Sequence, residues 1–344
     1  MHHLFVICNV VLVVDTMVPD VTARPQVLPT ERLLSDGKCR PELRAEFRRI
    51  DDARNALSVA GLWLGVVAMV GLAVWVGNPW LYAAVFVAMG PVHARFAILM
   101  HESAHKLLFT NKSVNDWVGT WLVAYPAFVP ISLYRRGHFA HHREEFGPNE
   151  PDLAYYGGYP CDRHALLRRL VRDAVGISGW KNLRLLLRGV RSPAYRRLSL
   201  SILGVQAVLW GGSWAATGRW WIYPALWWLP WMTQWRVLNR LRSIAEHGGL
   251  EANGDRRATT HDVRQSLLAR VWLVPYNTGW HLAHHVDMGV PWRNLPAFHA
   301  ELVRAGYVTD ELTWPSYRSL WRALSSAGTA SGTSGHTVRP RAAR

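Results

Sequence analysis

Three histidine clusters constrain this chain more than any other feature of its sequence. They read HESAH, HFAHH and HLAHH, an H-x3-H box followed by two H-x2-HH boxes, and they contribute His101, His105, His138, His141, His142, His281, His284 and His285. On a helix, positions i, i+3 and i+4 share one face, so each box can direct its imidazoles at a common point. A zinc ion takes four or fewer protein ligands. Eight converging imidazoles therefore predict two metal ions, for which iron, copper and zinc are all suitable.

Long apolar blocks indicate a membrane protein. Half of the 344 residues are hydrophobic, and about 20 helical residues cross the hydrocarbon core. We predict an all-α integral membrane protein with four transmembrane helices in two hairpins and a cytoplasmic helical cap that carries the His-rich dimetal site. The predicted spans are residues 56–77, 79–100, 198–217 and 220–238. The last contains an uncharged stretch of only 16 residues, Trp220 to Trp235, which Pro224 and Pro230 interrupt.

The boxes also constrain the topology. If all three serve one metal site, an even number of crossings must separate any two of them. The uncharged run Trp117–Ile131, between the first two boxes, is therefore predicted to be re-entrant or interfacial, whereas the third and fourth spans separate the second box from the third. The loops at Asn78 and at Gly218-Arg219 contain one basic residue between them. By the positive-inside rule the boxes are then cytoplasmic, and a bacterial inner membrane is the expected location.

Positive charge and tryptophan are both unevenly distributed. The formal net charge is +15, and the basic segment Arg163–Arg191 is predicted to form one or two amphipathic helices on the inner leaflet. Because the basic residues lie at membrane edges without an aromatic-basic recognition module, nucleic acid is not an expected partner.

Eight of the 19 Trp fall between Trp210 and Trp235. An interfacial aromatic belt is favoured there over the lining of an acyl tunnel.

The chain ends and the cysteines carry less information. We predict a partly disordered N-terminal segment at residues 1–55, a membrane domain at 56–322 and a disordered tail at 323–344. The apolar run Leu4–Val14 is too short to span a membrane, and Met17 is a hypothetical alternative start. Three isolated cysteines, Cys8, Cys39 and Cys161, predict neither disulfides nor an iron-sulfur cluster. Electrons for a redox reaction must then come from an external donor.

The boxes, their order and their placement around hydrophobic hairpins resemble the membrane fatty acid desaturase family. The resemblance covers roughly Ala56 to Leu302 and includes VPWRNLPAFHAEL after the third box. Members of that family use a non-haem di-iron centre to activate O2. The resemblance therefore implies two Fe ions, O2 as co-substrate, a membrane lipid or acyl substrate, and electrons from a ferredoxin or similar carrier, to which the basic surface is suited.

The same resemblance implies a ninth metal ligand. In this family a histidine after the last transmembrane helix often completes the coordination, and His247 in RSIAEHGG matches it by position and context. Carboxylates that could orient the ligating rings are Glu102, Asp152, Glu246 and Asp287. The remaining histidines receive no ligand role; they are His2, His3, His93, His164, His261, His299 and His336.

Details of the boxes narrow the expected reaction. HESAH has three residues between its histidines where the acyl-CoA branch typically has four, and the third box keeps His281 where front-end desaturases usually have Gln. We therefore expect an acyl-lipid desaturase whose nine histidines form the catalytic metal centre. A related hydroxylase or ketolase acting on a lipid, alkane or carotenoid stays open, because the same oxidant can insert oxygen. Outside this class, the alternatives are a zinc membrane hydrolase and an inactive lipid-binding homologue.

Overall fold

Helices form nearly all of the regular structure in a computed structural model that describes residues 16–148 and 150–326. The helices are α1 (Pro41–Phe47), α2 (Asp52–Val76), α3 (Pro79–Ala104), α4 (Lys112–Val118), α5 (Ile131–Arg143), α6 (Leu153–Tyr156), α7 (Arg163–Ala174), α8 (Ile177–Gly189), α9 (Arg196–Thr217), α10 (Leu229–Met232), α11 (Gln234–His247), α12 (Leu267–Trp272), α13 (His281–Val286), α14 (Leu295–Arg304) and α15 (Tyr317–Leu324). Two π-helical turns (Gly119–Ala124 and Pro224–Trp228) and two 3-10 turns (Val21–Ala23 and Arg256–Ala258) lie between them. Strands β1 (Asp262–Val263) and β2 (Thr313–Trp314) pair in parallel. The apolar run Leu4–Val14 and residues 327–344 lie outside the described residues.

Three helices in the described part of the chain are long and apolar enough to cross a membrane, and they contain α2, α3 and α9. Local capping explains their ends. The Asp51 side chain accepts the Arg54 amide at the start of α2, and Gly77 ends that helix with φ 67°, a left-handed conformation that glycine adopts without strain. Asn78 then caps α3, and Pro79 occupies its first turn. The predicted hairpin between the first two spans therefore turns at Gly77-Asn78-Pro79.

Helix α3 lies at the centre of this helical layer. Within its apolar window 61% of the residues are buried by the protein, against 22% for the window containing α2 and 17% for α9. The outer helices expose apolar side chains such as Leu64, Trp75 and Val208, as lipid contact requires. Their inward polar groups are paired: the Trp63 indole donates to the Leu122 carbonyl at 2.8 Å, and Gln206 accepts from the Tyr223 hydroxyl at 2.6 Å.

The run between the first two boxes folds back on itself. Helix α4 continues into the π-helical turn Gly119–Ala124, the chain turns after Tyr125, and α5 begins at Ile131. This hairpin packs against α3, with the Asn115 side chain donating to the Ser103 carbonyl at 3.0 Å. The run is thus divided between two helical pieces joined by a turn, and its re-entrant or interfacial position stays a prediction.

The fourth predicted span is not one continuous helix. The π-helical turn at Pro224–Trp228 leads into α10, and the chain breaks at Thr233 (φ −115°, ψ −82°) before α11 begins. Pro230 has no amide hydrogen to donate to the preceding turn, which accounts for the disturbed geometry. Each piece is shorter than the three apolar helices, although the pieces follow one another and pack on α3.

The basic segment forms two amphipathic helices, α7 and α8, separated by Gly176 with φ 82°. Both are anchored to the segment after the third apolar helix. Asp173 is ion-paired with Arg240, and Gly179 lies against the backbone of Met232. Exposed apolar residues such as Leu185 and Trp180 remain on the outer face of α8, which suits contact with a lipid surface.

A second apolar core supports the third histidine box. Leu33, Cys39 and Phe47 from the N-terminal segment pack with Leu282 and Phe298 of α13 and α14. Arg32 and Glu301 form an ion pair at 2.8 Å across the same contact. The described part of the N-terminal segment therefore holds α13 in place.

The contact between Gly179 and Met232 generates a stability prediction. A Cβ added at Gly179 would lie 2.4 Å from the Met232 carbonyl oxygen, so Gly179→Ala must push α8 away from the turn after α10. We expect a lower thermal midpoint in detergent, corresponding to about 1–3 kcal/mol. Gly204→Ala in α9 is the matched control, because a Cβ there meets nothing within 4 Å. Equal midpoints for both variants would contradict the described packing.

Candidate metal centre

All nine histidines selected from the sequence converge in one buried region. His101 lies on α3 and His105 caps it; His138, His141 and His142 lie on α5; His247 ends α11; His281, His284 and His285 lie on α13. Each is at most 8% exposed. Helical spacing explains the convergence, since every box places its rings one turn apart on a single helix face. His247 joins them from a fourth element, as the sequence predicted.

The rings form two adjoining clusters. In the first, ligand atoms of His101, His105, His138, His142 and His284 lie within 4.8 Å of one another. In the second, His141, His247 and His285 meet the same criterion, and His281 Nε2 lies 3.1 Å from His247 Nε2 and 3.0 Å from His285 Nε2. The His142 and His285 ring centroids, one from each cluster, are 4.4 Å apart.

The nitrogen separations fit two bound cations. In the first cluster the Nε2 separations are 2.9 Å for His105–His138, 3.1 Å for His138–His142 and 3.0 Å for His142–His284. Ligand nitrogens at about 2.1 Å from a metal and at right angles to each other lie about 3 Å apart. A shared proton can satisfy one such pair of lone pairs, but His138 and His142 each face two neighbours. The donor set therefore fits a metal ion at the centre of each cluster.

Hydrogen bonds on the outer edges fix the rings of the second cluster. His141 Nδ1 donates to Glu150 Oε2 at 2.9 Å, and His247 Nδ1 donates to the Thr259 carbonyl at 2.8 Å. His285 Nδ1 donates to Glu145, which also pairs with Arg256. Protons held on Nδ1 leave the Nε2 lone pairs free and pointing inward. The second cluster is thus arranged to bind a cation through Nε2.

The first cluster has fewer outer partners. Glu102 Oε1 lies 3.6 Å from His101 Nδ1, and the other Glu102 oxygen accepts from the Trp292 amide at 3.2 Å. The Nδ1 atoms of His105, His138 and His284 are buried without a hydrogen-bond partner among the described residues. The two clusters therefore differ in how firmly their rings are held.

The four predicted orienting carboxylates have different positions. Glu102 and Glu246 each lie 3.6 Å from a ring nitrogen, of His101 and His281 respectively. Asp152 groups with His141 and Glu150. Asp287 differs from the prediction, because it accepts from Arg48 at 2.7 Å and no described hydrogen bond joins it to an imidazole.

Two orienting acids, Glu145 and Glu150, were missed from the sequence. Both follow the second box in the stretch HHREEFGPNEPD. Their side chains are at most 2% exposed, and a buried acid close after a metal-binding box is a recognisable signal. Glu150 pairs with His141, nine residues before it, whereas the partners of Glu145 lie on other elements: His285 on α13 and Arg256 beyond α11. A local pattern does not reveal such distant pairs.

The protonation state of the rings favours metal binding. Burial, with the charge of neighbouring histidines, lowers the pKa of His247 to about 3, and burial likewise lowers the pKa of His105 to about 3. Both rings are neutral at physiological pH. For His141 burial is opposed by the hydrogen bond and charge of Glu150, which raise its pKa. A cation bound there displaces that proton.

The other described histidines lie outside the two clusters. His93 Nε2 donates to the Trp227 carbonyl at 2.9 Å, and His261 Nε2 donates to the Gly248 carbonyl at 2.8 Å. His299 pairs with Asp262, and His164 is exposed on α7. None of the four was selected as a ligand from the sequence. His2, His3 and His336 lie outside the described residues.

Two cavities reach the clusters. One, of about 710 Å³, is lined by His101 and Tyr134 and by apolar residues that include Phe128, Leu186 and Trp231. The other, of about 810 Å³, is lined by His142 and His285 together with Lys38, Arg143 and Arg256.

Trp231 and Trp235 line the first cavity, whereas Trp210, Trp214 and Trp220 are exposed. The Trp-rich region thus divides between the outer surface and a cavity wall, and the predicted belt describes only part of it.

The fold and the site define a mostly helical protein whose described part contains three helices long and apolar enough to cross a membrane and a histidine-rich cluster that could hold metal ions. The sequence profile of the family described as Fatty acid desaturase matches residues 78–318. The chain therefore belongs to the fatty acid desaturase family.

Similar proteins carry related names. A dihydrorhizobitoxine desaturase of Bradyrhizobium elkanii is 25% identical over 77% of this chain and 80% of its own length. An sn-1 oleoyl-lipid 12-desaturase of Arthrospira platensis is 25% identical over 80% of this chain and 83% of its own length. A chloroplastic omega-6 fatty acid desaturase of Brassica napus is 24% identical over 78% of this chain and 64% of its own length.

The outer hydrogen bonds generate a prediction for metal binding. Glu145→Ala removes the acceptor of His285 Nδ1 and leaves Arg256 without its partner. We expect metal affinity of the second cluster to fall by about tenfold to a hundredfold, measured by metal titration of the purified protein. Glu144→Ala, at the exposed neighbouring position, is the matched control. Unchanged affinity in Glu145→Ala would show that the carboxylate does not orient His285.

Proposed function

We propose that this protein is an O2-dependent di-iron desaturase that introduces a double bond into a fatty acyl chain, with an acyl-lipid substrate favoured. The convergence of nine imidazoles into two clusters, beside an apolar cavity that reaches His101, is the observation that carries the proposal. We assign the nine histidines as ligands of two irons, with the membrane domain at residues 56–322. Membership of the desaturase family supports the reaction class.

The residues of the chain have separate tasks in this reaction. Bound iron would supply the oxidising power to remove hydrogen from an unactivated C–H bond. Two hydrogen atoms from the substrate, with two electrons from an external donor and two protons from solvent, balance the reduction of O2 to two water molecules. The nine imidazoles, neutral when bound, would hold the metals without adding negative charge, and Glu145 and Glu150 orient two of them, His285 and His141. The apolar wall of the cavity excludes water and positions the chain beside His101.

The number of ligands supports iron over a hydrolytic zinc. A catalytic zinc uses three protein ligands and leaves a position open for water. Here the first cluster alone has five histidines, and a second cluster adjoins it. Two metals with many imidazole ligands suit redox chemistry better than a single zinc-bound water.

Removal of one ligand from either cluster tests the assignment. We expect His142→Ala and His285→Ala each to abolish turnover and to lower iron content, because each leaves a cluster incomplete. Iron per chain is measured by mass spectrometry of the purified protein, and products are measured by lipid mass spectrometry of expressing cells. His164→Ala, exposed on α7, should retain both activity and iron.

The products also decide the reaction class. A desaturase product lacks two hydrogen atoms, whereas a hydroxylase product gains one oxygen atom. Full activity in either ligand variant, or one zinc in place of two irons, would contradict the di-iron proposal. Gain of oxygen by the natural lipid would replace desaturation with hydroxylation on the same centre.

We further propose four crossings, with the fourth formed by the broken segment from Trp220 to α11, and a cytoplasmic cap that bears the boxes. If all boxes serve one centre, this crossing is required. With α9 as the single crossing between them, the second and third boxes would lie on opposite sides of the membrane. Lys38, Arg143 and Arg256 line the cavity at His142 and His285, which supports docking of a ferredoxin or similar acidic carrier there.

Single-cysteine labelling tests this topology, with the native cysteines replaced by serine. Asn78→Cys and Arg219→Cys should react with a membrane-impermeant maleimide in intact spheroplasts of the expression host. Arg168→Cys and Glu251→Cys should react only after the membrane is disrupted. Labelling of Glu251→Cys together with Arg219→Cys would mean that the fourth segment does not cross.

A further inference from the structure

The cavity that reaches His101 is divided into an apolar part and a polar part. Its apolar wall contains Phe128, Leu186 and Trp231, which suit a hydrocarbon chain. Its polar wall combines side chains from three elements: Arg236, Asn239 and Arg242 of α11, Asn182 of α8 and Tyr155 of α6. A cavity for a plain hydrocarbon does not need this polar wall, because unpaired polar groups are costly to bury.

Arg236 is a cation in this wall whose charge no described residue neutralises. Arg188 also lines the cavity without an ion pair to a described residue, but it is exposed on α8. Its Nε is buried without a hydrogen-bond partner, and no ion pair joins it to a described residue. Its guanidinium lies 4.2 Å from the centroid of the Trp231 ring, which positions it but supplies no counter-charge. Asp173 is the carboxylate whose charge reaches Arg236, and that acid is already bound by Arg240 and Ser178.

Arg242 differs from Arg236 in this respect. It pairs with Glu246 at 3.2 Å and donates to the side-chain amide oxygen, Oδ1, of Asn239 at 3.4 Å. Through Glu246, which lies 3.6 Å from His281 Nδ1, it belongs to the support of the metal centre. Asn239 therefore has its side-chain N–H groups free of any described partner, as does Asn182. These donors lie in the same wall as Arg236.

We infer that Arg236, with Asn239 and Asn182, binds an oxyanion of the substrate, either a carboxylate or a phosphate. This inference rests on the proposed function, since it assigns the substrate of the same site. A guanidinium presents two parallel donors that match both groups, and the amide donors add further hydrogen bonds. The substrate is then an amphiphile whose apolar chain occupies the Phe128 and Trp231 side and whose anion is held at Arg236.

The spacing of the two ends is set by two packed helices. Arg236 lies on α11, eleven residues or about 16 Å of rise from His247, and His101, the histidine that lines the same cavity, lies on α3, which packs against α11. An anion anchored at Arg236 therefore fixes how far along the chain the metal centre acts. Arg236 is in this sense a determinant of both substrate class and position.

Equilibrium binding to the full-length protein in nonionic detergent tests the inference. The probes are oleate, 1-oleoyl-lysophosphatidate and the neutral oleyl alcohol, which share a chain and differ in the head group. For at least one anionic probe, we expect Arg236→Gln to weaken binding at least about tenfold and Arg236→Lys to restore part of it. Oleyl alcohol should bind all variants equally. A loss confined to oleate identifies a carboxylate, and one confined to the lysophosphatidate identifies a phosphate.

Matched controls separate the site from general charge effects and from the proposed reaction. Arg184→Gln removes the same charge from an exposed position of α8 that does not line the cavity, and it should bind every probe like the wild type. Equal losses in Arg184→Gln and Arg236→Gln, or equal anionic affinities in wild type and Arg236→Gln, would overturn the inference. Lipid products of cells expressing the wild type measure desaturation independently of probe binding. A failed binding result therefore does not contradict the proposed reaction, and absence of desaturation does not contradict oxyanion binding at Arg236.

Discussion

The mutual approach of buried imidazole nitrogens is the constraint on which the rest of this structure depends. Nε2 atoms from different helices lie about 3 Å apart, and one proton can bridge only two of them. Burial keeps the rings neutral, so the lone pairs repel one another unless a cation lies between them. A cation bound among the rings would therefore stabilise the close approach of the four elements α3, α5, α11 and α13. The placement of the membrane helices follows from this meeting point.

The two clusters differ in how many outer hydrogen bonds hold their rings, and a histidine of the less firmly held cluster lines the cavity that contains Arg236. Glu150, Glu145 and the Thr259 carbonyl hold three rings of the second cluster, whereas several outer nitrogens of the first have no described partner. His101, of the less firmly held cluster, lines the cavity of about 710 Å³ that is proposed to hold an amphiphile and is called here the amphiphile cavity. A ring with fewer outer bonds can adjust when a substrate enters. The firmly held cluster instead keeps the geometry of the pair fixed.

The sequence predicted what depends on local spacing. The boxes, His247 and the Gly-Asn-Pro turn all have patterns within a few residues, and helical geometry converts these patterns into shared faces or chain reversals. Glu145 was not found, because its partners His285 and Arg256 are more than a hundred residues away and no local period records them. Asp287 was assigned to the metal centre by proximity in sequence alone, but Arg48 of the N-terminal segment binds it. Pro224 and Pro230 were recognised as interruptions of the fourth span, but hydropathy does not locate the break, which lies at Thr233, three residues after Pro230.

Helix α11 connects substrate recognition to the metal centre. Arg236, Asn239, Arg242 and Glu246 follow one another along this helix at spacings of three or four residues, and His247, the residue after Glu246, ends the helix at the second cluster. An α-helix is stiff over this length, because every internal amide is bonded to the preceding turn. The distance from the oxyanion site to the metal is then a property of the scaffold. A longer substrate chain would place a different carbon at the centre only if its anion left Arg236. In this arrangement regiochemistry depends on the position of the anion and less on the far end of the acyl chain.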